Sequence, residues 1–401
     1  MAKSKTSSKV TITIFCVLAL ILGFIGGAVG ITYATLPYNE ELVVGEEVFY
    51  SYNGESNVET VPVVVEEGSM SIHFLELGNK YTGDCTYIKV GENIDILIDC
   101  GSRSNSVSTV SAYLNNYVTD NTLEYVIVTH AHQDHYAGFA TSTKVESIFD
   151  LYECETIIDF SNTNQTTGTV YKNYLRELND EVEQGANHFT ALQCWENEQD
   201  VEQADGRTAD AQREYVLDSA NDISFQILYQ EFYEEKASSE NDYSVCVMFS
   251  HKEHNFLFTG DLEEDGEISL VQNNELPQVY LYKAGHHGSK TSSSDELLDV
   301  INPQVVCVCC CAGSSEYTDT IANQFPTQDF INRVAKHTDE IYVTSLCVDY
   351  ENDEFTSFNG NIVITSTELK IGVDCSNNNV ILKDTDWFKE NRSWPDIAQT
   401  S

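Results

Sequence analysis

Three histidines and one aspartate fall within six residues at His130-Ala131-His132-Gln133-Asp134-His135. Imidazole nitrogens and carboxylate oxygens are the donors that zinc, iron and manganese take from proteins. In an extended backbone His130 and His132 point to one side, which leaves Asp134 and His135 for a second ion beside the first. Two other stretches carry the same donor types. Thr259-Gly260-Asp261 follows the run Asn255 to Phe258, and Gly285-His286-His287-Gly288-Ser289 follows Val279 to Lys283. A loop rich in histidine by chance would not be matched by such partners elsewhere in the chain.

Chemistry of this kind needs a rigid support. The apolar run Tyr125-Val126-Ile127 reads as a strand that ends where the cluster begins, placing the donors on a loop held by a sheet. Alternation or short apolar runs predict strands at Ser71 to Leu77, Thr86 to Val90, Ile94 to Ile98, Thr156 to Phe160 and Phe225 to Tyr229. Further strands are expected at Tyr243 to Phe249, Asn255 to Phe258, Val279 to Lys283, Val305 to Cys311, Ile341 to Thr344 and Gly360 to Thr365. Helical spacing covers Val107 to Val118, Val145 to Tyr152, Tyr171 to Glu183, Glu267 to Val271, Asp295 to Ile301 and Thr327 to Lys336. The acidic stretch Glu196 to Asp210 reads as a surface insertion. Strand-rich halves with interspersed helices fit a layered α/β/β/α sandwich better than a regular alternation of strand and helix.

The whole chain has 401 residues and a formal charge of -43, with 21 Lys and Arg against 64 Asp and Glu. That balance opposes a general basic surface for nucleic acid or anionic lipid, although a local pair of cations would still attract a phosphate. Twelve cysteines raise the question of disulfides, but Cys307, Cys309, Cys310 and Cys311 lie in one apolar run and read as small core residues. Lys3, Lys5 and Lys9 precede an uncharged apolar stretch at 10–34, long enough to cross a bilayer. We read residues 1–9 as cytoplasmic, 10–34 as a transmembrane signal anchor and 35–69 as an acidic linker. Residues 70–366 form the main domain and 367–401 a tail that either packs on it or extends. This places a single-pass protein in the cell membrane with its domain outside the cytoplasm. A cleaved signal peptide, giving a secreted form, is the competing reading.

The pattern H-x-H-x-D-H at 130–135 resembles that of the metallo-β-lactamase superfamily. The segments 73–101, 241–249, FLFTGDL at 256–262 and YKAGHHGSKTSSSDELL at 282–298 resemble the hydrolase domain of ComEC-type competence DNA-uptake proteins. Phosphorylcholine esterases of bacterial surfaces share that pattern. The resemblance implies the four-layer sandwich of that superfamily and a centre of two zinc ions, with manganese or iron as alternatives. It implies that His130 and His132 hold the first ion, that Asp134 and His135 hold the second and that Asp261 bridges them. One of His286 and His287 completes the second site. We select His287, which leaves His286 to face a substrate phosphate. Asp134, His286 and Lys283 are then the residues expected nearest the reaction, with Lys283 or Ser289 meeting an anionic substrate. Asp99 and Asp84 are expected to orient ligands, Asp84 having a turn cap as an equal alternative.

Two departures stand out. Relatives often supply a further histidine to the first ion, and only His188, His251 and His254 lie in the interval where it would fall. None sits in a motif loop, and His188 reads as a surface residue. Relatives also often carry a histidine before the proline where this chain has Phe325-Pro326. The implied activity is hydrolysis of a phosphodiester or phosphate ester by a metal-activated water. A small-molecule ester fits the charge balance better than a long nucleic acid. The alternatives are a lactone, thioester or β-lactam hydrolase on the same fold, or a non-catalytic surface module that kept its metal ligands.

Overall fold

The computed structural model describes residues 40–44, 47–51, 61, 66–140 and 146–396. The expected anchor at 10–34 lies outside the described residues, and among them no helix is long and apolar enough to cross a membrane. Within the stretch read as a linker, Glu40–Val44 and Glu47–Ser51 pair as an antiparallel hairpin.

Two mixed sheets of eight strands each form the body. The first runs in the order Ile371–Cys375, Ile362–Ser366, Met70–Phe74, Thr86–Val90, Ile94–Ile98, Thr122–Ile127, Glu153–Asp159 and Asn187–Thr190. The second runs Glu214–Asp218, Ile223–Leu228, Cys246–His251, His254–Phe258, Leu281–Lys283, Val305–Ala312, Ile341–Asp349 and Glu354–Ser357. Phe74 of the first stacks on Phe258 of the second at 6.1 Å. One continuous core holds these together with Ile72, Ile88, Ile96, Phe225 and Phe249. A second core lies on the far face of the second sheet. There Met248, Leu257 and Val308 meet Leu270, Leu298 and Phe330 from the helices Glu264–Asn273, Asp295–Ile301 and Gln328–Val334. The helices Val107–Leu114 and Thr169–Gln184 bring Val110, Tyr113, Tyr174 and Leu178 to the first sheet. Sheet faces cannot stay wet when they are this apolar, so each is covered.

Each sheet has a run of four parallel strands. In the first these are Ile94–Ile98, Thr122–Ile127, Glu153–Asp159 and Asn187–Thr190. In the second they are His254–Phe258, Leu281–Lys283, Val305–Ala312 and Ile341–Asp349. Ligand sites in such sheets form at the carboxyl ends of parallel strands, and the loops bearing Asp99, the His-rich cluster, Asp261 and His287 leave from such ends, while Asp84 comes from the antiparallel turn before Thr86–Val90. Asp99 follows the first strand of one run and His130 to His135 the second. Asp261, His287 and the loop 313–327 follow strands of the other.

The stretch read as a tail contributes to the body. Ile371–Cys375 extends the first sheet beside Ile362–Ser366, Phe388 is buried in the second core, and the Arg392 guanidinium donates to the Pro326 and Gln324 carbonyls at 2.9 and 2.7 Å. Among the described residues every cysteine is unbridged, and Cys307 to Cys311 are fully enclosed strand residues.

Candidate metal centre

The His-rich loop is fixed before any ligand is considered. Asp99 stands at φ 57° immediately after its strand and accepts from the Thr129 amide at 2.8 Å and the Thr129 hydroxyl at 2.7 Å. The Asp134 carbonyl accepts from the Asp84 amide at 3.0 Å. At Gly101 a β-carbon would lie 1.5 Å from that same carbonyl oxygen, so only glycine lets the two loops meet. Gly260, at φ 53°, plays the same part across the sheets, since a β-carbon there would crowd Ser244 and Thr129. The Val245 amide donates to the Thr129 carbonyl at 2.9 Å, tying the two sheets together beneath the site.

Asp84, His135, Asp261 and His287, all buried, present ligand atoms that lie within 4.8 Å of one another. The Asp261 Oδ2 is 3.1 Å from His135 Nε2 and 3.2 Å from His287 Nε2. The Asp134 Oδ2 is 3.5 Å from His287 Nε2. The opposite ring nitrogens are already engaged. His135 Nδ1 contacts Asp99 Oδ2 at 2.7 Å, and His287 Nδ1 contacts the Cys309 carbonyl at 2.9 Å. Such outer partners fix the tautomer that leaves Nε2 for a metal. Asp84 meets the Nδ1 edges of both rings, at 3.2 Å from His287 and 3.7 Å from His135. It therefore stands behind the imidazoles, where an orienting carboxylate belongs.

His130 and His132 form the other part of the cluster. His130 Nε2 and His132 Nδ1 approach to 3.0 Å, and the His130 and His135 rings lie 4.2 Å apart. His130 is fully buried while His132 is half-buried. None of the three histidines in the interval before Asp261 joins them. His188 pairs with Asp159 at 2.9 Å, and His251 is buried against Ser366 at 2.8 Å.

Electrostatics make the same point as geometry. Asp84 and Asp261 face one buried ammonium, that of Lys283, and the Asp99 and Asp134 carboxylates add to the negative charge against His135 and His287. Burial pulls the His135 and His287 imidazoles down, but the surrounding carboxylates outweigh it and hold both well above the usual histidine range. Burial raises Asp261, yet His135 and His287 more than compensate and keep it well below the usual carboxylate range. His135 Nε2, His287 Nε2 and Asp261 Oδ1 are buried without a hydrogen-bond partner. Buried polar atoms left so are rare and costly. An excess of enclosed carboxylates beside unpartnered imidazole nitrogens is the environment that a divalent cation satisfies, so the residues present fit a metal.

Two expected roles are changed by burial. The Lys283 ammonium, expected to meet an anionic substrate, is enclosed. It donates to the Gly260 carbonyl at 3.0 Å, pairs with Asp84 and lies 3.6 Å from Asp261. Burial would lower its pKa, but Asp84 and Asp261 raise it, so it serves as a fixed counter-charge within the site. Of the two adjacent histidines, His287 joins the cluster and His286 does not. Both stand in the left-handed backbone region, at φ 47° and 55°, strain of a kind concentrated at functional sites. His286 stays half-buried, its Nδ1 3.1 Å from the Thr291 hydroxyl and 3.5 Å from Glu263. Ser289 is buried and bonded to Thr291. No sequence signal marks Ser244, whose hydroxyl accepts from the Asp261 amide at 3.0 Å. None marks Tyr317 either, whose hydroxyl donates to Asp134 Oδ2 at 2.8 Å.

Residues 78–146 match the family model for the metallo-beta-lactamase superfamily. Competence protein ComA of Neisseria gonorrhoeae is 39% identical over 93 residues, which is 22% of this chain and 12% of that protein. ComE operon protein 3 of Bacillus subtilis is 29% identical over 89 residues, 22% of this chain and 11% of that protein. The matches thus span about a tenth of those relatives' length. Among solved structures, the metallo-beta-lactamase fold protein YhfI from Bacillus subtilis aligns over 74% of this chain and 99% of its own, at 12% identity and a TM-score of 0.38. The segment bearing Asp84, Asp99 and the His-rich loop is thus similar to the metallo-beta-lactamase superfamily, and the chain has local similarity to competence proteins.

Proposed function

We propose that the chain is a binuclear metal-dependent hydrolase of phosphodiesters or phosphate esters, held outside the cytoplasm by a membrane anchor at 10–34. The observation that carries the hydrolase reading is the convergence of two buried imidazole nitrogens that make no hydrogen bond, His135 Nε2 and His287 Nε2, on the Asp261 carboxylate. His130 and His132 would hold one ion and His135, His287 and Asp134 the other, with Asp261 between them. Zinc suits the mixture of imidazole and carboxylate, and manganese and iron share that preference. Bound there, such ions lower the pKa of water and polarise an ester or phosphoryl oxygen.

The chain's own side chains set up the rest. Asp99 and the Cys309 carbonyl hold the two ring tautomers, while Lys283 and Asp84 form a fixed ion pair behind them. His286, half-exposed beside the cluster and braced by Thr291 and Glu263, is placed to donate a hydrogen bond to a substrate oxygen. Net charge favours a small ester over a long polyanion. The test uses the full chain with its metal content measured. About two transition-metal ions per chain and chelator-sensitive hydrolysis of bis(p-nitrophenyl) phosphate are expected. Folded protein with fewer than one bound metal after reconstitution would overturn the reading.

A further inference from the structure

The loop 313–327 follows the strand Val305–Ala312 and stands over the centre. It is clamped at several points. The Gly313 amide donates to the Phe325 carbonyl at 2.8 Å. Glu316, its side chain 5% exposed, accepts from the Thr82 amide at 2.9 Å and pairs with Arg103 at 2.7 Å. Arg392 grips the Gln324 and Pro326 carbonyls from the other side. On this fixed loop Tyr317 is 56% exposed, although its hydroxyl reaches inward to Asp134 Oδ2 at 2.8 Å. Phe325 lies 5.7 Å from the Tyr317 ring, 5.7 Å from His286 and 5.8 Å from His287.

An exposed tyrosine ring costs apolar hydration unless something else covers it, and a ring braced this way is pre-ordered for a flat partner. The hydroxyl does different work. The Asp134 side chain is 14% exposed, against 2–3% for Asp84, Asp99 and Asp261. It is thus the candidate ligand carboxylate with most freedom to turn away, and the Tyr317 hydroxyl restrains it.

We propose that Tyr317 is a positioning residue with two separable parts: its hydroxyl holds the Asp134 carboxylate in ligating orientation, and its ring, with Phe325, forms the wall that accepts a flat apolar group beside the reacting ester. The second part rests on the hydrolase reading; the first rests on the metal site alone.

The test compares wild type, Tyr317→Phe, Tyr317→Ala and Phe325→Ala as full chains. Zinc affinity is measured by competition with a chromophoric chelator, and phenylphosphonate is titrated against methylphosphonate on the zinc-loaded proteins. Tyr317→Phe is expected to bind one of the two ions roughly 10- to 100-fold more weakly, with its preference for phenylphosphonate unchanged. Its unfolding temperature in chelator should match wild type, a result that separates positioning from mere loss of fold. Phe325→Ala should lose most of a roughly tenfold phenyl preference while keeping zinc, and Tyr317→Ala should lose both. Wild-type zinc affinity in Tyr317→Phe overturns the hydroxyl's part, and an unchanged phenyl preference in both alanine variants overturns the wall. Should wild type bind zinc and both phosphonates yet turn over no ester, the hydrolase reading fails while the positioning of Asp134 stands.

Discussion

His135 and His287 are fully enclosed, and each has its Nδ1 engaged, one by the Asp99 carboxylate at 2.7 Å and the other by the Cys309 carbonyl at 2.9 Å. His130 and His132 have no such backing. The Nδ1 of His130 has only hydroxyls near it, Thr129 at 3.2 Å and Ser244 at 3.4 Å, and His132 opens toward solvent. One half of the centre is therefore aligned before an ion arrives, and the other must be ordered by the ion itself. Preorganised donors lose less freedom on binding, so the inner half should hold its cation more tightly.

The strongest way to break this contrast is to remove what the halves share. Asp261→Ala leaves the two Nε2 atoms without the carboxylate 3.1 and 3.2 Å away. Hydrolytic kcat/KM should fall roughly a thousandfold or more, the equivalent of several kcal/mol of metal-assisted stabilisation. Activity within tenfold of wild type would show that Asp261 does not join the halves. Asp99→Asn removes the charge behind His135 alone. It should weaken the inner ion by roughly 10- to 100-fold, as read by chelator competition, and Ser244→Ala should do distinctly less to the outer one. His132→Ala should cost one metal equivalent by elemental analysis and leave the inner one in place. Loss of both would mean that the halves are not independent.

The smallest effect lies at the other end of the strands and serves as a control. Glu124 accepts from the Asp95 amide at 2.6 Å, and burial raises its carboxyl from 4.5 to about 7. A carboxyl whose folded pKa lies above its unfolded one favours folding when protonated, so that contribution is lost as pH rises from about 4.5 to about 7. Glu124→Gln removes the titration and keeps an acceptor for the Asp95 amide. Its unfolding temperature should exceed wild type by a few degrees at pH 8 and match it at pH 4, with metal content unchanged. An equal difference at both pH values would show that Glu124 does not titrate as burial dictates.

The sequence shows the centre's skeleton because donors at the carboxyl ends of parallel strands sit beside readable apolar runs. Thus Ile94 to Ile98 and Asp295 to Ile301 are found where alternation and spacing predict them, and three separated loops converge. Burial is not written locally. Lys283 looks like a substrate contact until Asp84, some two hundred positions earlier, is seen against it. The Cys309 carbonyl is a backbone group that any residue would supply. Tyr317 stands alone in a polar loop, with no periodicity to mark it. The strands Glu214–Asp218 and Ile371–Cys375 are hard to read from sequence for a related reason: both are sheet edges whose partly exposed residues dilute the apolar signal. The helix Glu264–Asn273 begins earlier than its apolar residues suggest, because its acidic first turn suits a helix amino end.

Graded chelation of the metal-loaded full chain, followed by elemental analysis at each step, tests the unequal centre most directly. About two ions per chain should be released in two steps, the first lost easily and with it most hydrolysis. The second should be retained until a much stronger chelator is used, and His132→Ala should show only this second step. Release of both ions in a single step, or a folded chain that never binds more than one, would contradict an unequal two-ion centre.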